Sequence, residues 1–289
     1  MPPTTPLPLS VPITLIVATT PHPSPSQSGK TLLGIGLNGT LPWPRIKSDM
    51  SFFARVTARL PTHTAGHTGD SASARANALI MGRKTYDSVP LKLRPLGKRV
   101  SVVISRDVGG EVRERVGREL GEKREREAAA AKVKAEAESV SGQGEKKVEV
   151  EESKTDAFVS SGLEEALQTL DSAAERGDIG SVYVIGGAEI YGASLRLGLD
   201  GAASSGAGEG EKAAQRKVRI VMTDVEKVDG GVFECDTFFP VDGEELAGER
   251  WRKVRAEEVT EWVGEEVTGE WIEEGDVRVR MVGYERVDA

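Results

Sequence analysis

Five short runs of apolar, β-branched residues constrain this chain more than any other feature of its sequence. They are residues 13–18 (ITLIVA), 77–81 (NALIM), 100–105 (VSVVIS), 181–185 (SVYVI) and 218–223 (VRIVMT). Each has the length of a strand, and apolar residues fill successive positions in most of them. Side chains of a strand point alternately to two faces, so a run of this kind needs both faces covered. Helical periodicity separates the runs, over residues 49–60, 84–88, 163–174 and 188–197. Strands alternating with helices predict an α/β fold, a mainly parallel sheet with helices on both faces. Residues 251–262 and 271–287 instead alternate apolar with polar side chains, which predicts an antiparallel C-terminal edge.

Four polar stretches interrupt this pattern. Residues 21–30 are rich in Pro and Ser and read as an exposed loop, and residues 61–76 read as another. Residues 107–155 form a charged insertion of Glu, Lys, Arg and Ala, and residues 198–217 a flexible Gly/Ala/Ser insertion. The chain therefore reads as one domain over 1–289 carrying two insertions, which fits its 38% hydrophobic content. Within the charged insertion, residues 111–139 are good helix formers with little apolar surface. They predict a solvated helix or a disordered segment, and deleting 111–153 is expected to leave activity intact. The formal net charge of −8 argues against nucleic acid as the main partner. Cys235 is the one cysteine, so no intrachain disulfide can form, which fits a reducing compartment. No apolar run approaches the ~20 residues that span a bilayer. Residues 1–12 lack a basic start and arginines, and the expected location is cytoplasmic.

The sequence GIGLNG places Gly34, Gly36 and Gly39 in the G-x-G-x-x-G spacing of dinucleotide-binding turns. That spacing works where a helix follows and offers its first amides to a pyrophosphate. Here Leu41-Pro42-Trp43-Pro44 follows, and two prolines in three residues oppose such a helix start. The glycines suit either a plain surface turn or a mobile loop that closes over a ligand.

Asp49 begins a helical pattern, with Ser48 as the expected N-cap. Phe53 lies four residues on and shares its face, with Met50 and Val56 beside it. An acid in the first turn satisfies the helix dipole, which explains it without any chemistry. In an apolar pocket the same acid would have its pKa raised by desolvation and become useful for proton transfer.

Two strand ends carry cations: Gly82-Arg83-Lys84-Thr85 after the second run, and Ser105-Arg106 after the third. Amides at a helix start and adjacent cations together suit a phosphate. After the fourth run, Gly186-Gly187 precede a helix and allow close approach of backbone to a ligand.

Eight segments, in order, resemble the dihydrofolate reductase family, and its eukaryotic, fungal-like members in particular. They are LIVA (15–18), GIGLNGTLPWP (34–44), SDMSFF (48–53), LIMGRKTYDSVP (79–90), RPLGKRVSVVISR (94–106), YVIGGAEIY (183–191), VMTDV (221–225) and CDTFFP (235–240). The resemblance implies an eight-stranded sheet, and NADPH-dependent reduction of 7,8-dihydrofolate to 5,6,7,8-tetrahydrofolate, feeding one-carbon metabolism and thymidylate synthesis. It implies a monomer and an antifolate target. Asp49 would hold the pterin and promote its protonation, oriented by Thr223. Ile16, Val17, Met50, Phe53, Leu96, Ile185 and Tyr191 would line the substrate pocket, and Arg99 would pair with the α-carboxylate of the folate glutamate. Arg83, Ser105 and Arg106 would receive the 2′-phosphate of NADPH. Gly82, Lys84 and Thr85 would bind its other phosphates, and Gly186, Gly187, Ala188, Glu189 and Ile190 would wrap the pyrophosphate. Ala18, Ile35 and Gly39 would complete the cofactor site, with Leu41 and Trp43 in a closing loop.

Gly97-Lys98-Arg99 stands where the family usually has Pro-Gly-Arg, Tyr86 where tryptophan is common, and the segment before Gly34 is longer than usual. Two other readings keep part of this pattern. Reductases of pyrimidine intermediates in riboflavin synthesis share the architecture, but the Leu41-Pro42-Trp43 loop and Asp49 favour folate. A non-enzymatic scaffold would tolerate a damaged pocket, whereas Asp49, Thr223, Arg83, Arg106 and Gly186-Gly187 are all present. His63 and His67 have a spacing that could seat a metal on a helix, but they lie in a Thr/Gly-rich loop, and no metal is expected.

Overall fold

The computed structural model describes residues 10–60, 75–140, 155–198 and 216–287, with the backbone alone at 135–140. His63 and His67 lie outside the described residues. The five apolar runs form β1 (Ile13–Pro23), β3 (Ala76–Gly82), β4 (Arg99–Ile104), β6 (Ile179–Val184) and β7 (Val218–Lys227). Together with β5 (Asp156–Ser160), β10 (Ile272–Glu274) and β11 (Val277–Arg286), they lie in the order β10-β11-β7-β1-β6-β3-β4-β5. Pairings from β7 through to β5 are parallel, and β11 returns antiparallel against β7. This is the mainly parallel α/β sheet with an antiparallel C-terminal edge that the periodicity predicts. Three further strands join beside the path: β2 (Thr31–Gly36), β8 (Thr237–Phe238) and β9 (Trp251–Val254).

The uninterrupted apolar runs are explained by a core on each face. Ile13, Leu15, Val17, Ala78, Ile80 and Val102 point to a core shared with α4 (Leu163–Glu175) and α5 (Ala188–Arg196). Ile16, Leu79, Met81 and Val103 point the other way, to a core shared with α1 (Lys47–Ala58), α2 (Arg83–Ser88) and α7 (Ala256–Val263). Alternate side chains in these runs thus feed different cores, which explains why apolar residues fill successive positions.

Several expectations need correction. The loop expected at 21–30 is shorter, because β1 runs to Pro23 and pairs antiparallel with β2. Pro21 and Pro23 occupy alternate positions of a strand end that has β2 as its partner, so their missing N–H groups fall on the unpaired side. Gly34 and Gly36 belong to β2 rather than to a mobile loop. A Cβ at Gly34 would lie 2.3 Å from Cys235 Sγ and one at Gly36 3.2 Å from Thr237 Cβ. These glycines let the 235–238 segment approach, and Gly39, at φ +77°, makes the turn. Residues 251–262 are not one strand: β9 ends at Val254 and α7 follows, burying Val259 and Val263 four residues apart and ending on left-handed Gly264.

Ser48 is not the N-cap of α1. Ile46 holds that position, and the carboxylate of Glu274, on β10, accepts the amides of Lys47 (2.5 Å) and Ser48 (2.9 Å). The charged insertion begins with a long helix, α3 (Glu111–Val140), as one of its two expected forms. One face of its first turns is buried, however. Val112 and Val116 are buried in the core beneath β3 and β4, and Glu119 is 6% exposed.

Candidate functional site

Parallel strands that end side by side leave a crevice at their carboxyl ends. Here β1, β3, β4 and β7 contribute Ile16 to Ala18, Gly82, Ile104 and Thr223, and Ile185 follows the end of β6, in the wall of one cleft of about 1840 Å³. That volume exceeds the roughly 300–1,000 Å³ of a pocket for one small ligand and leaves room for two.

At one end the wall is apolar, built from Ile16, Val17, Met50, Phe52, Phe53, Leu96 and Ile185. Asp49 opens into this end from the first turn of α1 and is 6% exposed. Burial pushes its carboxyl above the ordinary aspartate range. A hydrogen bond with the Thr223 hydroxyl opposes that shift, and the negative charge of Glu274 adds to it. Thr223 reaches this point because β7 runs parallel to β1, with Ala18 opposite Thr223. Tyr191 closes the floor, its hydroxyl donating to the Ile16 carbonyl at 2.7 Å. Burial and the nearby Asp49 charge keep that phenol protonated.

Arg99 lies beyond the apolar wall. Its guanidinium donates to Thr57 Oγ1 at 2.6 Å and to the Gly97 carbonyl at 2.8 Å, and Thr57 in turn donates to Phe53 O at 2.7 Å. The last turn of α1 therefore aims this cation. Burial pushes Arg99 down to about 10, which leaves it charged at neutral pH.

The other end of the cleft is polar. Gly82 precedes α2 and Gly187 precedes α5, and neither helix start has a side-chain cap. The two turns meet because β3 and β6 pair, with Gly82 N donating to Gly186 O at 2.7 Å. Gly186 sits at φ +119°, a backbone that L side chains rarely adopt, and a cis peptide joins it to Gly187. A Cβ at Gly82 would lie 3.3 Å from Ile190 Cγ1. Exposed Arg83, Lys84 and Arg106 stand around these uncapped amides, with Thr85 and Ser105 beside them. Free helix amides with three cations suit a phosphorylated ligand.

Every residue expected at the site lines this cleft except Trp43. The lining includes Ala18, Ile35, Gly39, Leu41, Ala188 and Glu189 as well as the residues above. Trp43 is 5% exposed and packs edge-on against Phe233, in a cluster with Ile46 and Val225. It anchors the loop from behind. The cleft also takes residues that sequence reasoning did not assign: Phe52, Arg45, Asp236 and Thr237, and Glu111, Lys123 and Glu127 of α3. Asp236 and Thr237 lie inside the quoted CDTFFP segment and could have been weighed. Nothing in the composition of α3 marks its cleft residues. Among the described residues, no group of three acidic, His or Cys side chains could hold a metal, and no helix is long and apolar enough to cross a membrane.

The family model for dihydrofolate reductase matches residues 71–148. A dihydrofolate reductase of Heliothis virescens is 30% identical over 227 residues, covering 75% of this chain and 83% of the relative. That of Cryptococcus neoformans is 30% identical over 250 residues, covering 85% and 86%. That of Pneumocystis carinii is 26% identical over 260 residues, covering 88% and 87%. With two relatives at this identity matched over most of their length, and the same order of segments around one cleft, the chain belongs to the dihydrofolate reductase family.

Proposed function

We propose that this chain reduces 7,8-dihydrofolate to 5,6,7,8-tetrahydrofolate with NADPH as the reductant, each active site being formed by a single chain. The observation that carries this reading is a buried carboxyl, Asp49, set in the apolar end of a cleft large enough for two ligands.

A pterin is flat, with an edge of ring nitrogens and an amino group. The apolar wall of Ile16, Phe53 and Ile185 suits its faces, and the Asp49 carboxyl suits that edge. Thr223 fixes the carboxyl's orientation. A carboxyl raised by burial retains its proton at a higher pH, so it can help supply the proton that the ring nitrogen gains. Arg99, steered by Thr57 and Gly97, suits the glutamate α-carboxylate.

The polar end fits the cofactor. Amides opening α2 and α5 would hold its phosphates with Lys84 and Thr85, and Gly186-Gly187 would let the pyrophosphate approach the backbone. Arg83, Ser105 and Arg106 would receive a 2′-phosphate and so select NADPH over NADH. When bound, the nicotinamide supplies the hydride. The protein's part is to hold the two rings in contact and to place a proton donor beside the accepting carbon.

The test is oxidation of NADPH by the purified protein with and without dihydrofolate, repeated with NADH. Turnover that requires dihydrofolate and favours NADPH is expected. A diaminopyrimidine antifolate should compete with dihydrofolate. Reduction of a ribosylated pyrimidine, with no effect of the antifolate, would overturn the reading in favour of a riboflavin-pathway reductase.

A further inference from the structure

The charged helix α3 is fastened to α2, the helix whose first residues stand at the polar end of the cleft. Arg83, Lys84 and Thr85 of α2 line that end. The next two residues, Tyr86 and Asp87, meet α3 instead. The Tyr86 hydroxyl donates to Glu119 Oε2 at 2.7 Å. Arg115 lies four residues before Glu119, on the same face of α3, and reaches Asp87 Oδ1 at 2.8 Å. Buried Val112 and Val116 seat this stretch of α3 in the core, so Arg115 is presented from a fixed turn.

Among the described residues, three arginines compete for the Asp87 carboxylate. Arg115 is the nearest. Arg94 approaches Oδ1 at 3.5 Å and is shared with Glu119, whose Oε1 lies 3.8 Å away. Arg83 stands 3.9 Å from Oδ2, beyond hydrogen-bond distance. It precedes Asp87 by four residues on the same helix, and such pairs are weaker when the cation comes first. The Arg83 side chain is 52% exposed and lines the cleft, which neither Asp87 nor Arg115 does. The acid on Arg83's own helix face is thus engaged by α3, and Arg83 is left to the cleft.

We infer that Arg115 is a positioning residue for the cofactor end of the cleft: by holding Asp87 it keeps that carboxylate from drawing Arg83 out of the site. Arg115 thereby sets how strongly the protein prefers a phosphorylated adenosine ribose over a plain one. The inference rests on the NADPH reading, in which Arg83 receives the 2′-phosphate. The insertion then contributes to cofactor choice through α2, without Arg115 touching the cofactor.

Equilibrium binding of NADPH and of NADH to the full chain, followed by the fluorescence of the reduced nicotinamide, measures this preference and needs no turnover. Arg115→Gln should weaken NADPH binding about two- to fivefold, the scale of one partly exposed charge pair, and leave NADH binding unchanged. Arg115→Lys keeps the charge and should keep the preference. In an Asp87→Asn background no carboxylate competes for Arg83, and there Arg115→Gln should cost nothing. A double-mutant cycle isolates that interaction between the two positions. An equal loss of NADPH binding in both backgrounds would make Arg115 only a distant positive charge. An equal loss for NADPH and NADH would make it only a support of the fold. Either result, or no loss at all, overturns the inference. A wild type that binds NADH as tightly as NADPH would overturn the inference and the cofactor reading together. NADPH-selective binding with Arg115 and Asp87 coupled, but without dihydrofolate-dependent turnover, would sink the proposed reaction and leave the inference standing.

Discussion

At Asp49, burial and a hydrogen bond pull the carboxyl in opposite directions, and burial prevails. A folded-state pKa above the unfolded one favours the neutral form. The stability it contributes is full below the unfolded pKa and is lost as pH rises through the folded pKa. Asp49→Asn should therefore melt at a higher temperature than wild type at neutral and alkaline pH, with the difference shrinking toward acid pH. The same variant should lose about 10²–10⁴-fold in turnover near neutral pH. Calorimetry across pH and steady-state rates check the two halves; a near-wild-type rate at every pH would remove Asp49 from the chemistry. The Thr223 bond favours the charged carboxylate, so Thr223→Val should push the carboxyl higher still. The fall in kcat/KM with rising pH should then move to higher pH, and a shift to lower pH would contradict the arrangement. Asp49 and Thr223 were legible because each sits inside a patterned segment. The third influence, Glu274, was not: it is remote in sequence and joins them only through the position of β10.

Among the elements, α1 and α3 separate what periodicity tells from what it hides. The apolar face of α1 was readable from Phe53 and Val56, but its ends are held from afar. Glu274 accepts its first amides, and buried Asn77 donates to Thr57 O (3.1 Å) and Arg59 O (2.8 Å) at its other end. A local cap at Ser48 was the natural expectation, and a distant carboxylate took its place. In α3, two valines among many charges gave too weak a pattern to announce a packed face. Val112 and Val116 nevertheless enter the core, and Glu119 accepts from the buried Tyr86 hydroxyl at 2.7 Å. Arg115 adds an ion pair of 2.8 Å to Asp87 on α2. The boundary of the dispensable segment therefore moves. Replacing residues 128–153 by a short linker should leave the melting temperature and kcat near wild type. Extending the deletion back to residue 111 should cost on the order of 2–5 kcal/mol from the valines alone. Urea unfolding of the two deletions tests this, and equal stability would show that the first half of α3 carries no load.

Over the whole molecule, the sequence reported which strand faces are covered, but only the fold says by what. Successive apolar residues in β1, β3 and β4 required two cores, and two cores are present. The strand order followed less directly, and β2 and β8 escaped notice because their pairing depends on the absence of side chains at Gly34 and Gly36. The residues expected at the site gather around one cleft except Trp43, since an aromatic between two loop prolines looks the same whether it faces a ligand or the core; the share of the wall taken by α3 and by Asp236 and Thr237 was not foreseen.

One feature of the sheet bears on how the molecule comes into being. Among the described strands, β1 comes early in the chain yet lies in the interior of the sheet, with β6 on one side and β7 on the other, and Ile13 opposite both Val182 and Val218. During synthesis the end of this strand, Thr20–Pro23, can pair early with β2, but residues 13–19 must wait, with both edges unpaired, until residues beyond 180 and then 218 have followed. Pairing across such sequence separations is slow, and exposed apolar edges invite association with other chains. The growing polypeptide thus passes through a long interval in which helix α1 already carries Asp49 but the strand bearing Thr223 does not yet exist, and in that interval its unpaired edges are open to other chains.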